Sequence, residues 1–124
     1  MKRSITHCIN AATADTNSGW LPIAGAVKVS FFFTRSVHTS GNTVFSIDVA
    51  PEKDGTGGAD YAKLVTNVTN TNAQNLTRVA SVTLSSATTS YVSMSPEDVG
   101  GYVRVTADVT TDGTNDVWMI VCRD

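Results

Sequence analysis

The sequence has few charged residues, few aromatic residues and no concentration of positive charge. Only 16% of its 124 residues are charged and only 7% are aromatic, so a folded core has to be built mainly from aliphatic side chains. The net charge is −2 and no stretch is rich in Lys or Arg, whereas binding to duplex nucleic acid requires clustered positive charge. We therefore expect no nucleic-acid partner.

Long apolar runs are also missing. The first residues, MKRSITHCIN, include basic side chains without the apolar segment of a secretory signal, and no run has the length of a transmembrane helix. We expect synthesis in a cytoplasm and no membrane contact. In that reducing compartment the only two cysteines, Cys8 and Cys122, should stay free thiols. A disulfide is the alternative if the terminal strands bring them together.

The sequence does contain much Val, Ser, Thr and Asn. Ser, Thr and Asn together make up about 30% of the chain, and β-branched residues favour strands whereas Asn, Gly and Ser favour turns. A length of 124 residues allows one two-layer core. The composition therefore predicts a single all-β domain over residues 1–124.

Alternation of apolar and polar residues predicts the strands of this domain. In the clearest one, residues 26–34, one face carries Val27, Val29, Phe31 and Phe33. Further strands are predicted over residues 43–50, 61–68, 76–84, 91–94, 103–110 and 117–122. Their spacing favours an antiparallel β-sandwich of seven to eight strands, Ig-like or jelly-roll-like. Residues 1–22 alternate poorly, so they are interpreted as an N-terminal arm or a first strand.

The C-terminal part of the chain predicts one long β-hairpin. Val103, Val105, Ala107 and Val109 alternate with polar residues, and the segment TTDGTND supplies Gly and short polar side chains for a reversal. The continuous apolar run over residues 117–122 predicts a return strand that is covered on both faces.

The entry to this hairpin resembles a known structural corner. Residues 95–102, SPEDVGGY, are similar to the E–F corner of immunoglobulin-like domains, in which a Tyr hydroxyl bonds to nearby backbone. The resemblance implies that Tyr102 and Asp98 stabilise the corner. It departs from the family at Arg104, which stands where an antibody domain has a core cysteine. Tyr102 also shares its strand parity with Arg104 rather than with the valines, so either a bulge switches the faces or the match is convergent.

No residue pattern indicates catalysis, a metal or a cofactor. A zinc set would have to combine residues without zinc-motif spacing, and the acidic pairs in turns do not follow a calcium-loop pattern. These two candidate groups are His7, Cys8, His38 and Cys122 for zinc, and Asp54 with Asp60 or Asp112 with Asp116 for calcium. We expect no enzyme activity and no cofactor.

Three side chains are candidate interface anchors: Trp20, Leu21 and Phe32. Phe32 points away from the core face of its strand, and aromatic anchors concentrate binding energy at contact centres. For Trp20 the alternative is that it closes the end of the core. A carbohydrate site would need exposed aromatic platforms. Trp118, Tyr61 and Tyr91 are available for one, but the sequence shows no clear aromatic row.

Taken over its length, the chain resembles the small β-sandwich proteins of tailed-phage virions. The resemblance lies in the short arm, the Val- and Thr-rich strands, the connectors such as TNTN and the ending YVRVTADVTTDGTNDVWMIV. It implies a non-enzymatic virion structural protein, first of all a capsid decoration (cement) protein that stabilises the head shell. A tail or baseplate subunit, or a carbohydrate-binding module, is the alternative. The implied partners are the major capsid protein or other virion subunits and further copies of the chain, with localisation in the virion.

Overall fold

Two antiparallel sheets pack face to face. The computed structural model describes residues 2–50, 78–94 and 101–124, and the side chains of all of these except residues 78–80. The nine strands in these ranges are β1 (Lys2–Ala12), β2 (Thr16–Asn17), β3 (Leu21–Pro22), β4 (Ala26–Ser36), β5 (Gly41–Ala50), β6 (Arg78–Leu84), β7 (Thr88–Met94), β8 (Tyr102–Thr111) and β9 (Thr114–Arg123). Every strand pair is antiparallel, so the prediction of an all-β sandwich is confirmed. Within the same ranges no helix is long and apolar enough to cross a membrane.

The strand order is that of a jelly roll. Sheet A has the order β1-β9-β4-β7, and sheet B has the order β2-β8-β5-β6, with β3 also pairing with β8. The chain changes sheet at every connection between described strands except the β2–β3 and β5–β6 connections. The short strands β2 and β3 both pair with β8 and together occupy one position at the edge of sheet B. Two sheets with four strand positions each, joined by such crossings, make the double Greek key of a jelly roll. Of the two sandwich types expected, the jelly-roll-like one therefore describes the chain, and the order differs from the ABED and CFG sheets of immunoglobulin domains.

The predicted C-terminal hairpin is wrong. Thr111 and Thr114 are separated by only two residues, Asp112 and Gly113, but β8 lies in sheet B and β9 lies in sheet A. The segment therefore arches from one sheet to the other instead of pairing the two strands. The reversal residues were correctly identified, since Gly113 has a φ of 124° and only Gly adopts such a value readily.

Aliphatic and phenyl side chains fill the space between the sheets. Phe31 and Phe33 of β4 are fully buried and face Phe45 of β5, whose ring centroid lies 5.0 Å from that of Phe33. Val103, Val105 and Ala107 of β8 and Val117, Met119 and Val121 of β9 complete this core. The predicted inward faces of these strands are confirmed, with one exception. Val27 is 37% exposed because the pairing of β4 with β9 shifts by one residue between Ala26 and Lys28, and such a bulge turns a side chain to the other face.

The return strand β9 is not covered on both sides, contrary to the prediction. Val117, Met119 and Val121 point into the core, whereas Trp118 on the opposite face is 41% exposed. The continuous apolar run of β9 therefore consists of core side chains that alternate with apolar side chains on the partly exposed outer face of sheet A.

Residues 2–22 lie in the sheets. β1 pairs with β9 from Lys2 to Ala12, and its Ile9 is buried in the core. β2 and β3 pair with β8, where Ser18 and Val105 exchange hydrogen bonds of 2.9 Å. Of the two interpretations of this segment, a first strand describes residues 2–12. The predicted strand 61–68, Leu76 and Asp98 fall outside the described residues.

The two outer faces of the sandwich differ in cover. On sheet B, the outward side chains of Ser46 and Asp48 are buried, with exposures of 4% and 0%. On the edge strands of sheet A, the outward side chains of Ile5 and Tyr91 are open, at 64% and 53%, whereas Ser30 of the inner strand β4 is only 8% exposed. Among the described residues, three of the large exposed apolar side chains, Ile5, Tyr91 and Trp118, lie on the outer face of sheet A.

Candidate functional site

Four rings form one row across the outer face of sheet A. His7 of β1 is in register with Trp118 of β9, Trp118 is in register with Phe32 of β4, and Phe32 is in register with Tyr91 of β7. Each of the four strands thus contributes one ring at the same level. With strands about 4.8 Å apart, this aromatic row is about 14 Å wide.

The rings of this row form two close pairs. The ring centroids of His7 and Trp118 are only 3.6 Å apart, with an angle of 5° between the planes, so these two rings are stacked face to face. The ring centroids of Phe32 and Tyr91 lie 5.2 Å apart, with an angle of 32° between the planes. One face of the Trp118 indole is therefore covered by His7, while 41% of Trp118 stays exposed.

His7 is fixed from two sides. Its Nε2 donates a hydrogen bond of 2.8 Å to Asp116 Oδ1, and the same oxygen accepts a 2.9 Å hydrogen bond from the backbone N–H of Ala11. The imidazole is thereby held flat against the indole of Trp118. Ala11 adopts a φ of 51°, which turns its N–H toward the carboxylate at the point where β1 bulges away from β9.

The rest of this face is arranged in levels along the strands. On one side of the aromatic row lie Ile5, Ile120, Ser30 and Ser93, and the two serine hydroxyls share a hydrogen bond of 2.8 Å. Beyond them lie Arg3, Cys122 and Lys28. On the other side of the row lie Asp116, Thr34 and Thr89. The outer face of sheet A thus runs from a basic level, through a level of two isoleucines and two serines and then the aromatic row, to a level that contains Asp116.

The three predicted anchors are not brought together. Phe32 is half-buried within the aromatic row. Leu21 packs against the core as part of β3. The ring of Trp20 lies over the guanidinium of Arg104 at 4.7 Å, on the sheet B side, and Arg104 donates a 3.0 Å hydrogen bond to the buried carboxylate of Asp48. Such a cation–π contact is worth about 0.5–2 kcal/mol.

A second cluster joins the crossings at one end of the sandwich. The guanidinium of Arg35 is buried, and its Nη atoms donate to four backbone carbonyls at distances of 2.8–3.4 Å. These acceptors are Ser40, Gly41, Leu84 and Asp112. They belong to the β4–β5, β6–β7 and β8–β9 crossings, so one side chain ties three connections together. We call this the crossover cluster.

Asp112 completes the crossover cluster from the solvent side. Its carboxylate accepts hydrogen bonds from the hydroxyl and the N–H of Thr39 and from the N–H of Ser40. The pKa of Asp112 lies below its ordinary value of 3.8, first because of the hydrogen bond from the Thr39 side chain and then because of these N–H groups and the Arg35 charge.

Two glycines lie in the crossover cluster where a larger side chain would clash. A Cβ on Gly113 would lie 2.7 Å from Arg35 Nε, and one on Gly41 would overlap the carbonyl of Thr110.

The candidate metal ligands serve other contacts. Asp112 holds the crossover cluster while Asp116 binds His7, so the two carboxylates have separate partners. Within residues 2–50, 78–94 and 101–124, no group of three or more His, Cys, Asp or Glu side chains could hold a metal ion. Asp54 and Asp60 lie outside these ranges.

The two cysteines are free thiols and lie far apart on the paired strands β1 and β9. Cys122 is in register with Arg3, whereas Cys8 is five residues further along the strand, beside the level of Val117. At about 3.3 Å per residue the separation is about 16 Å, well beyond the span of a disulfide. The Cys8 thiol donates to the Val117 carbonyl at 3.3 Å, and burial raises its pKa to about 11.

The proposed tyrosine corner is described only in part. Tyr102 is half-buried at the start of β8 and is in register with Pro22 and Ala50, and Val103 beside it is fully buried. Tyr102 therefore keeps the parity of Arg104, as the sequence indicated.

Sequence reasoning missed the aromatic row and the crossover cluster. The available signal was that all four rings have outward parity in their strands, but only strand register places them side by side.

The strand order and crossings define the class: an antiparallel jelly-roll sandwich. Among solved structures, that of the SPBc2 prophage-derived protein YomS is similar over 97% of this chain and 92% of that chain, with a TM-score of 0.60 and 15% sequence identity. At this identity the similarity shows a shared fold.

Two further structures match less well. One, described as "CBM4 structure and function", covers 94% of this chain and 66% of its own length with a TM-score of 0.46 and 10% identity. The other, described as "Bacillus endospore appendages form a novel family of disulfide-linked pili", matches 98% of this chain and 88% of its own length, with a TM-score of 0.39 and 8% identity. No protein-family model and no curated protein matches the sequence.

Proposed function

We propose that the chain is a non-enzymatic structural protein of a phage particle. The observation that carries this proposal is the whole-length similarity of its fold to that of a prophage-derived protein, at a TM-score of 0.60. The jelly roll is also a recurring architecture of viral capsid proteins. Because a fold by itself does not determine a function, the use of the side chains has to be considered as well.

The main polar clusters make contacts that stabilise the fold. Arg35 and Asp112 connect the crossings, Asp48 and Arg104 form a partly buried ion pair, and His7 with Asp116 orients a ring. Each is engaged with partners inside the fold, which supports a protein that acts through its shape and surface. The open aromatic row supplies such a surface, since soluble monomers seldom expose large contiguous apolar patches without an interaction to explain them.

The particular role we propose is capsid decoration, in which the protein binds the assembled head shell and stabilises it. The major capsid protein is then its principal partner, and the mature location is the virion. A tail or baseplate subunit is the alternative within the same class. Both roles need a stable sandwich that binds other subunits through its surface, and they differ in the complex to which it attaches.

Binding to shells tests this role. Purified protein is mixed with undecorated phage head shells, and the shells are pelleted and imaged by cryo-electron microscopy. Decoration predicts saturable binding at symmetric positions and no further uptake by shells that already carry the protein. Binding to isolated tails instead would replace decoration by the tail role. Binding to neither would contradict the proposal.

Carbohydrate binding is a second candidate, because the structure brings Trp118 and Tyr91 into one exposed row. Sugars stack on open ring faces, whereas one face of Trp118 is already covered by His7 at 3.6 Å. The row therefore fits a protein surface better than a glycan. A glycan array tests this directly: retention of one sugar class that is lost in Trp118→Ala would favour the second candidate. Tyr61, also considered for such a site, lies outside the described residues.

A further inference from the structure

The charged and apolar levels on the outer face of sheet A are arranged so that the face is complementary to a second, reversed copy of itself. At its basic level, Arg3 and Lys28 are exposed on either side of Cys122. Lys2 and Arg123 are their neighbours in sequence or register. Among the described residues, the side-chain carboxylate near this end is that of Asp124. At its opposite level lies Asp116. The isoleucine level and the aromatic row lie between them. A surface with opposite charges at its two ends and apolar residues between them is complementary to a reversed copy of itself.

We propose that two copies of this chain pair through the outer faces of sheet A, related by a two-fold axis. This goes beyond the proposed function, since it concerns self-association in the absence of any shell. When two identical faces lie against each other, the two-fold axis that relates the copies lies in the plane between those faces. We place this axis perpendicular to the strands, between the isoleucine level and the aromatic row. Each strand then lies over the same strand of the other copy and runs in the opposite direction.

This arrangement matches the levels pairwise. Ile120 of one copy lies over Trp118 of the other, and Ile5 lies over His7. Asp116 lies over Cys122 of the other copy, which places its carboxylate between Arg3 and Lys28. The interface is isologous, so each of these contacts occurs twice, as in most two-fold dimers.

The area is sufficient for a specific dimer. Four strands at about 4.8 Å and four levels at about 6.7 Å give a face of about 500 Å². Two such faces bury about 1,000 Å², which is near the lower limit for specific interfaces. Three of the five large apolar side chains that are exposed in the described part of the chain, Ile5, Tyr91 and Trp118, lie on this face.

The outer face of sheet B does not offer a comparable surface. Of its outward side chains, Ser46, Asp48 and Ala50 are buried, with exposures of 4% or less, and the exposed ones, Ser81, Thr83 and Asp108, are polar. Among the described residues, none of the large exposed apolar side chains lies on a strand of sheet B. This favours a closed pair over a chain of subunits, which would need two such faces.

Sedimentation velocity over a concentration series tests the pairing. We expect a species of twice 13.1 kDa at protein concentrations up to about 100 µM. Ile5→Lys and Tyr91→Lys should each weaken the dimer at least tenfold, because each places a positive charge inside the contact, where it loses its hydration. Both side chains are more than half exposed, so circular dichroism should show folded protein. Val37→Lys is the matched control, since Val37 is 82% exposed on the β4–β5 crossing, and it should leave the dimer intact.

Charge reversal tests the orientation. Lys28→Glu should weaken the dimer and make the remaining association less sensitive to salt, because it places a negative charge beside Asp116 of the other copy. Thr83→Glu, on the exposed side of β6, adds a negative charge elsewhere and should have no effect. A wild-type monomer throughout the series would overturn the proposal. So would a dimer that survives Ile5→Lys and Tyr91→Lys, since its interface would then lie on another surface.

Discussion

At the scale of single residues, stability depends on a few buried side chains between the sheets. Phe31 is fully buried and contacts Phe33, with ring centroids 6.3 Å apart. We expect Phe31→Ala to lower the free energy of unfolding by about 3–5 kcal/mol, the usual loss for a truncated core aromatic. Urea denaturation measures this. Tyr91→Ala is the matched control and should cost clearly less, because 53% of Tyr91 is already exposed. Equal losses would mean that the strand faces are assigned wrongly.

Asp112 gives the fold a dependence on low pH. Its pKa in the folded chain is below 3.8, chiefly because the Thr39 hydroxyl and N–H stabilise the carboxylate. The carboxylate therefore contributes stability that is fully present above the unfolded pKa and is lost as the pH falls through the folded pKa. Thermal melts from pH 5 downward should show wild type losing stability more steeply than Asp112→Asn below about pH 4.

The control for this experiment is Asp108→Asn, which removes an exposed carboxylate from β8 with the same change in net charge. It should leave the slope of wild type largely unchanged. If Asp112→Asn and Asp108→Asn give the same profile, the hydrogen bonds from Thr39 and Ser40 do not stabilise the folded state.

At the scale of elements, the crossings between sheets are held by Arg35. Replacing it by Met keeps much of the volume but leaves four carbonyl groups without their donor, and each buried acceptor left unpaired costs about 1–3 kcal/mol. Allowing for relaxation, we expect Arg35→Met to cost about 3–5 kcal/mol, as for the loss of one partner from a buried charged network. Thr83→Met, at an exposed position of β6 outside the outer face of sheet A, should be nearly neutral in the same denaturation experiment. A neutral Arg35→Met would show that the crossings are stable without it.

β1 behaves as part of the sandwich in this account and not as a detachable arm. It pairs with β9 over its whole length and contributes Ile9 to the core. Deleting residues 1–12 should therefore give unfolded or aggregated protein, because the unpaired edge of β9 and part of the core become exposed. Far-UV circular dichroism and solubility measure the outcome. A soluble, folded deletion variant would restore the arm interpretation.

Sequence patterns could predict the individual strands but not which strands pair. The alternation at Val103, Val105 and Ala107 identified β8 and its inward face, because period 2 is a local property. The two-residue reversal at Asp112 and Gly113 is compatible with a hairpin or with an arch between sheets, and local sequence does not separate the two. Arg35 was invisible for the same reason, since its four acceptors come from crossings that are distant in sequence.

The candidate site was predictable only in its parts. Phe32 was identified as an outward aromatic, and Trp118 and Tyr91 were named as aromatics for a binding surface. That they form a row with His7 depends on three strand registers, which are fixed by long-range pairing and by the bulges in β1 and β4. The predicted anchors Trp20 and Leu21 found contacts within the chain instead, with Arg104 and with the core.

At the scale of the whole molecule, the described residues form a jelly roll, and Ile5, Tyr91 and Trp118 are exposed on the outer face of sheet A. The crossover cluster stabilises the connections between the sheets, and the outer face of sheet A offers a surface for contact with other subunits. Such a surface suits a protein that holds other subunits together by contact. We propose, on the two inferences above, that the protein occupies defined positions in a phage particle, in pairs whose aromatic rows face each other.

The most direct test is a cryo-electron microscopy reconstruction of the phage particle that carries this protein. The account predicts two-sheet density at symmetric positions on the head, as pairs in which β1, β9, β4 and β7 of the two copies lie against each other. A reconstruction in which no symmetric position of the particle shows density for the protein would contradict the proposed function. Particles in which the outer face of sheet A is open to solvent would contradict the pairing.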